Sequence, residues 1–152
     1  MNQFETAKNI DAYCELAKAI VLLACDDYRC YNKHFRKNLD IMQYINGRME
    51  EIKQAGEENP DERNKLQRVK DDIEFDQRKL QSKIREIEMF LKSNYGMTLS
   101  YGLGNTILNK IKKEQPVPEP SAERGKTLFK KKEKQMQKRL EKLLKRRKNE
   151  QL

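Results

Sequence analysis

Apolar side chains recur at helical spacing over residues 13–52 and predict one long amphipathic helix. At 100° per residue, thirteen of them fall in a band roughly 120° wide. They are Tyr13, Leu16, Ala17, Ile20, Leu23, Ala24, Tyr31, Phe35, Ile41, Met42, Ile45, Met49 and Ile52. No proline and only one glycine, Gly47, interrupt this stretch, so we expect a helix on the order of 60 Å long. Its apolar band must be covered by other parts of the chain.

A second apolar stripe predicts a helix over residues 61–92. It consists of Leu66, Val69, Ile73, Leu80, Ile84, Ile87 and Leu91, spaced mostly three or four residues apart. Gly56 and Pro60 are the expected stop signals between the two helices, and Asn59 or Asp61 is placed to cap the second one. Because the connection is short, we expect an antiparallel, coiled-coil-like helical hairpin in an all-α protein.

The short connection also predicts which residues of the two helices lie opposite each other. Paired residue numbers should sum to about 118, which places Ile45 opposite Ile73. The same rule sets Asn38 against Leu80 and Met42 against Asp76. These two mismatches are expected either to weaken the middle of the seam or to fix its register.

The segment Leu16–Cys25 is apolar on nearly every side and requires cover on more than one side. The pairing rule leaves Leu23 opposite Tyr95, where the second helix has ended. We therefore expect a Gly/Tyr-rich strip over residues 94–104, followed by a short helix, to close this end of the hairpin. The covering residues would be Tyr95, Met97, Leu99, Tyr101, Leu103, Ile107, Leu108 and Ile111. The alternative cover is a second copy of the chain, which would make a homodimer through this end.

Residues 116–123 contain three of the four prolines and predict an extended spacer. Beyond this spacer, residues 124–152 read as a basic helical arm with a narrow apolar stripe. The sequence thus divides into a hairpin body (1–115), a spacer (116–123) and an arm (124–152). Since prolines at alternate positions prevent helix formation, we expect the arm to be mechanically separate from the body.

Charge is distributed unevenly along the 152 residues, whose net charge is +9. Residues 1–115 carry 20 Lys and Arg against 19 Asp and Glu, whereas residues 116–152 carry 13 against 5. A nearly neutral body with a cationic tail indicates an anionic partner for the tail.

The cationic tail leads to two hypotheses of function. The first is a non-catalytic nucleic-acid-binding or ribonucleoprotein accessory module, whose arm contacts phosphates with low sequence specificity. The second is a protein-interaction adaptor or inhibitor that binds an acidic protein through the hairpin face or the basic helix. The nucleic-acid hypothesis assigns the contacts to two groups of cations. They are Lys126, Lys130, Lys131, Lys132, Lys134, Lys138, Arg139, Lys142, Lys145, Arg146, Arg147 and Lys148 in the arm, and Lys33, Arg36 and Lys37 on the first helix.

The sequence offers little for catalysis, metal binding or cofactor binding. His34 is the only histidine, and Cys14, Cys25 and Cys30 lack the C-x-x-C spacing of zinc sites. The glycines before Asn105 do not complete a dinucleotide-binding fingerprint. We therefore expect no enzyme activity, no cofactor and no metal. An absent secretion signal, reduced cysteines and the absence of a long apolar run predict a cytoplasmic protein without a membrane span.

Overall fold

The computed structural model describes residues 3–56, 59–114 and 119–151, and this part of the chain contains helices but no strand. The helices are α1 (Gln3–Ala55), α2 (Pro60–Lys92), α3 (Asn94–Leu99), α4 (Gly104–Lys113) and α5 (Ala122–Glu150). The all-α prediction is confirmed. None of the described helices is both long enough and apolar enough to cross a bilayer.

The boundary between α1 and α2 follows the predicted signals. Gly56 has φ +64°, a left-handed conformation that favours glycine after a helix. The Asn59 side-chain oxygen accepts a hydrogen bond of 3.3 Å from the backbone amide of Glu62, and Pro60 is the first helical residue. Helix α1 begins ten residues earlier than its apolar band, at Gln3.

Contacts divide the chain into two compact units that each include part of α1 and part of α2. The first unit comprises Met1–Phe35 and Arg78–Pro118, and the second comprises Arg36–Gln77 and Glu119–Leu152. The sequence-based division separated the arm from the hairpin body. In the structure, α5 belongs to the same unit as residues 36–77, which include the end of α1 and the start of α2. Residues 116–118 of the predicted spacer lie outside the described residues.

The core of the first unit joins one face of α1 to the end of α2, α3 and α4. Its buried members are Ala17, Val21, Cys25, Tyr28, Leu91, Leu99, Leu108 and Ile111. At the edge of this core, the Tyr28 hydroxyl donates to Glu88 at 3.2 Å, and Arg29 pairs with Glu114 at 3.0 Å. Leu99, Leu108 and Ile111 therefore cover α1 as expected.

The predicted covering of Leu16–Cys25 is wrong for its outer residues. Leu16 and Leu23 are 60% and 62% exposed, and the covering residues Tyr95, Tyr101 and Leu103 are exposed as well. The buried face of α1 is rotated from the predicted band, because α3 and α4 pack on Ala17, Val21 and Cys25. Because this segment is apolar on nearly every side, the sequence does not indicate which side of the helix is buried.

The prediction of a Gly/Tyr-rich strip over residues 94–104 is wrong for its first part, because residues 94–99 form helix α3. The Ser93 side chain accepts from the Gly96 amide at 3.0 Å and caps this short helix. A Cβ atom on Gly96 would lie 1.9 Å from the Phe90 carbonyl oxygen, and one on Gly104 would lie 2.0 Å from that of Leu91. These two glycines allow α3 and α4 to approach the end of α2. Helix α4 then starts at Gly104.

The core of the second unit contains Ile45 and Ile73, which the pairing rule set opposite each other. Ile41, Ile45, Leu66, Val69 and Ile73 are buried in one cluster with Phe129 of α5. Arg48 pairs with Glu62 at 2.7 Å, and Asn38 with Asp76 at 2.8 Å. The contacts thus run in opposite order along α1 and α2 within this unit.

The predicted mismatch between Asn38 and Leu80 is wrong. Asn38 is 2% exposed, and its amide donates to Asp76 at 2.8 Å and to Gln77 at 3.1 Å. The contact lies about one helical turn away from the predicted position, which pairs a buried amide with polar groups instead of a leucine. Burial of Asn38 without such a partner would be costly.

Candidate nucleic-acid interface

Helix α5 carries most of the candidate cations and begins at a well-defined cap. The Ser121 side chain accepts a 3.5 Å hydrogen bond from the Arg124 amide, and Glu123 lies in the first turn. Both features favour a helix N-terminus at this position. The helix then continues without proline or further glycine after Gly125.

The first half of α5 is docked in the second unit through Asp40 of α1. The Asp40 carboxylate is mostly buried and accepts from the Ser121 backbone amide at 2.8 Å and from Arg124 Nε at 3.1 Å. Arg124 also donates to the Glu119 carbonyl oxygen at 2.7 Å. The expectation that the spacer separates the arm mechanically from the body is therefore wrong for the beginning of α5.

Apolar contacts continue this docking for about three turns. Phe129 is 7% exposed and its ring lies 5.2 Å from that of Tyr44, while Leu128 and Met136 pack at the edge of the same core. Ion pairs join Lys132 to Asp72 at 2.9 Å and Glu133 to Lys65 at 3.5 Å. Lys132 was predicted to bind phosphate, but only 20% of its side chain is exposed and an acid already engages it.

The second half of α5, from residue 137 onwards, is exposed throughout its described length. Contacts of Gly125 with Asp40 and of Phe129 with Tyr44 show that α5 runs alongside α1 in the same direction. The same offset brings Ala55, the last residue of α1, level with Leu140. The helix therefore extends past the end of its support, and Leu140, Leu143 and Leu144 are 53–58% exposed.

Six cations follow one another at i,i+4 spacing along the exposed surface of α5. They are Lys126, Lys130, Lys134, Lys138, Lys142 and Arg146, which we call the cationic row. Successive members lie about 6 Å apart along the helix axis, so the row extends over roughly 30 Å, and each step turns it by about 40° around the helix. All six side chains are exposed, and no ion pair engages them among the described residues. Sequence analysis identified these cations individually but missed their spacing.

Like charges at i,i+4 destabilise a helix by a few tenths of a kcal/mol per pair. The cationic row repeats this arrangement five times, and glutamates at helical spacing from Lys126, Lys130, Lys138 and Arg146 relieve only part of it. Only Glu141 and Glu150 offset the seven cations of residues 137–150. The row is therefore a cost to the isolated helix, which a polyanionic ligand would remove.

The remaining candidate cations occupy three different settings. Lys131, Arg139, Lys145, Arg147 and Lys148 are exposed on the same helix beside the row. On α1, Lys33 is exposed in the first unit, whereas Lys37 is exposed and Arg36 is half-buried in the second. Arg36 has an interaction within the chain, so it is not a free cation.

Other chemistry is sparse in the described part of the chain. No three side chains of His, Cys, Asp or Glu come together there as a metal site. Cys14, Cys25 and Cys30 are free thiols, and burial raises the pKa of the Cys25 thiol. The Tyr101 hydroxyl donates to Cys14 Sγ at 2.8 Å, and this hydrogen bond raises the pKa of Tyr101.

Comparison of the chain with protein-family models, with curated proteins and with solved structures gives no match. The functional argument therefore rests on the geometry of α5.

Proposed function

We propose that this protein is a non-catalytic nucleic-acid-binding or ribonucleoprotein accessory module that contacts phosphates through the cationic row of α5. In this proposal a long antiparallel, coiled-coil-like hairpin is the scaffold, and the docked half of α5 fixes the arm to it. The observation that carries the proposal is the cationic row, which is exposed and free of acidic partners in the described residues.

The spacing of the row favours phosphate as the ligand. Three or four neighbouring cations of the row, about 6 Å apart along the axis, face the same side of α5 and suit a ligand that carries regularly repeated negative charge. Lysine predominates over arginine in the row, which suits point contacts with phosphate rather than bidentate contacts with base edges. We therefore expect binding with low sequence preference to DNA or RNA.

Electrophoretic mobility shift at several salt concentrations tests the proposal. If all six cations of the row contact duplex DNA, the logarithm of affinity should fall against the logarithm of salt with a slope of roughly −5. Changing Lys138, Lys142 and Arg146 together to Gln should reduce the slope by roughly 2 to 3 units. These three side chains make no ion pair within the described residues, and their removal relieves like-charge repulsion, so the melting temperature should not fall.

A matched variant with Lys53, Arg63 and Arg68 changed to Gln separates the row from net charge. These three cations are exposed in the second unit but lie on α1 and α2 rather than on the row. The variant loses the same charge, and we expect its salt slope to stay close to that of the unmodified chain. Equal slopes for the two triple variants, or no binding to duplex or single strands at low salt, would refute the proposal.

The second candidate function is docking of an acidic protein partner, and one observation favours it. Leu140, Leu143 and Leu144 continue the apolar face of α5 beyond its docked half and are exposed. A groove with apolar walls and an acidic rim would cover this face and pair with the flanking cations. Changing the three leucines to Ser should leave nucleic-acid binding unchanged, whereas it should abolish binding to such a partner.

A further inference from the structure

The N-terminal part of α1 exposes a second apolar face that the fold does not cover. Tyr13, Leu16, Ile20 and Leu23 follow steps of three, four and three residues, and we call them the N-terminal stripe. Tyr13, Leu16 and Leu23 are 55%, 60% and 62% exposed, while Ile20 packs at the edge of the first unit's core. This spacing is that of a coiled-coil seam, which needs a helix opposite it.

The surroundings of the N-terminal stripe do not suit an anionic ligand. Between Asp11 and Asp26 the only charged residues are Glu15 and Lys18, and at 100° per residue both point at least about 120° away from the middle of the stripe. Asp27 lies in line with the stripe, one turn beyond Leu23. Alanines at positions 12, 19 and 24 flank the stripe and leave room for a second helix. The face therefore suits another uncharged helix and does not suit phosphate or an acidic groove.

The order of residues in this face is close to a palindrome about Lys18. Among the positions of this face that the fold leaves at least partly exposed, a small residue is matched by a small one and a large apolar residue by a large apolar one. The matched positions are Leu16 with Ile20, Tyr13 with Leu23, and Ala12 with Ala24. A surface that reads the same in both directions is complementary to itself across a two-fold axis, as an isologous dimer interface requires.

We propose that a second copy of this chain covers the N-terminal stripe in antiparallel orientation. Leu16 then lies opposite Ile20 of the second copy, and Tyr13 lies opposite Leu23. Each of the four side chains of the stripe would bury on the order of 100 Å² in such a pair. The two faces together would bury roughly 800 Å², which is the size of a weak interface. The dimer should consequently dissociate on dilution.

Sedimentation velocity over a range of protein concentrations tests the dimer. The full chain should pass from monomer to dimer as concentration rises, and Leu23→Glu should shift the midpoint at least tenfold upwards. Met89→Glu is the matched control, since Met89 is 64% exposed in the same unit but lies on α2. A monomer at all concentrations, or equal effects of both variants, would refute the proposal.

Disulfide cross-linking tests the orientation in a background with Cys14→Ser, Cys25→Ala and Cys30→Ser. Tyr13→Cys and Leu23→Cys proteins should each fail to cross-link alone, because the two equivalent positions lie about 15 Å apart in the antiparallel pair. Mixing the two proteins should give a covalent heterodimer under mild oxidant. Cross-linking of either protein alone would indicate a parallel pair and refute the proposed orientation.

The dimer proposal stands apart from the function of α5. The Lys138, Lys142 and Arg146 variant should dimerise like the unmodified chain, and Leu23→Glu should retain the salt slope of each arm. Failure of one proposal therefore leaves the other intact.

Discussion

The backbone carbonyl of Asp40 lies directly against Gly125. A Cβ atom at position 125 would come within 1.9 Å of the Asp40 carbonyl oxygen and 3.0 Å of the Tyr44 side chain. The first atom belongs to the backbone of a long helix, so it cannot move aside cheaply. Glycine at position 125 is therefore what allows α5 to lie close to α1.

Gly125→Ala should detach or displace the first half of α5. We expect a loss of about 2 kcal/mol or more in the free energy of unfolding, because overpacking at this contact also separates Phe129 from its core. Gly47→Ala is the matched control, since a Cβ there meets nothing within 4 Å. It should stabilise helix α1 by up to about 1 kcal/mol. Urea unfolding measures both, and stabilisation by Gly125→Ala would contradict this packing.

Val21 and Leu23 are close in sequence but should respond differently to a buried charge. Val21 is 7% exposed, so Val21→Asp should cost several kcal/mol, whereas Leu23→Asp should cost less than about 1 kcal/mol. Thermal melts at low concentration, where the chain is monomeric, measure the difference. The apolar band predicted from the sequence placed Leu23 on the covered side of α1, and the expected small effect of Leu23→Asp follows from its exposure instead.

The three thiols should react with iodoacetamide at clearly different rates. Cys30 is exposed and should react first, Cys14 is half-buried beside Tyr101 and should follow, and Cys25 should react last. Cys25 is buried and its raised pKa leaves little thiolate at pH 8. Mass spectrometry of tryptic peptides at successive times measures the order. Modification of Cys25 as fast as that of Cys30 would contradict the packing of the first unit.

Glu62 should contribute to stability at neutral pH and lose that contribution in acid. Hydrogen bonds from Arg48 lower the pKa of Glu62 in the folded chain. A lowered folded pKa means that the contribution is complete above the unfolded value of about 4.3 and disappears as pH falls through the folded pKa.

The comparison of Glu62→Gln with the unmodified chain tests this sign. The variant should melt lower at pH 7, by an amount equivalent to less than about 1 kcal/mol because the pair is partly exposed, and the gap should close as pH falls through the lowered pKa of Glu62. Glu86→Gln provides the control, because Glu86 is exposed on α2 and forms no ion pair in the described residues. If the difference in melting temperature between Glu62→Gln and the unmodified chain widens in acid, the lowered pKa of Glu62 is contradicted.

Local sequence signals were enough to predict where several helices begin and end. Gly56, Asn59 and Pro60 set the end of α1 and the start of α2 because their conformations act within a single turn. The clustering of Ile45 with Ile73 followed from the length of the connection. These features depend on residues near in sequence or on a constraint that covalent geometry imposes.

The phase of α1 near its N-terminus could not be predicted, because apolar residues surround that part of the helix. Which side is buried depends on where α3 and α4 pack, and their approach depends on Gly96 and Gly104. Nor did the sequence indicate that α5 docks on α1. That contact joins Asp40 to Arg124 and Gly125, which are far apart in sequence and follow no periodic pattern.

The exposed half of α5 is continuous with a half that is already folded against the second unit. Starting a helix is unfavourable, whereas extending one adds a hydrogen bond for each residue that becomes fixed. The turns from Ser121 to Phe129 supply that start, so the repelling cations of residues 137–150 extend an existing helix. A polyanion would then meet ordered charges and lose less conformational entropy on binding. A peptide of residues 137–151 alone lacks this nucleus and should be poorly helical.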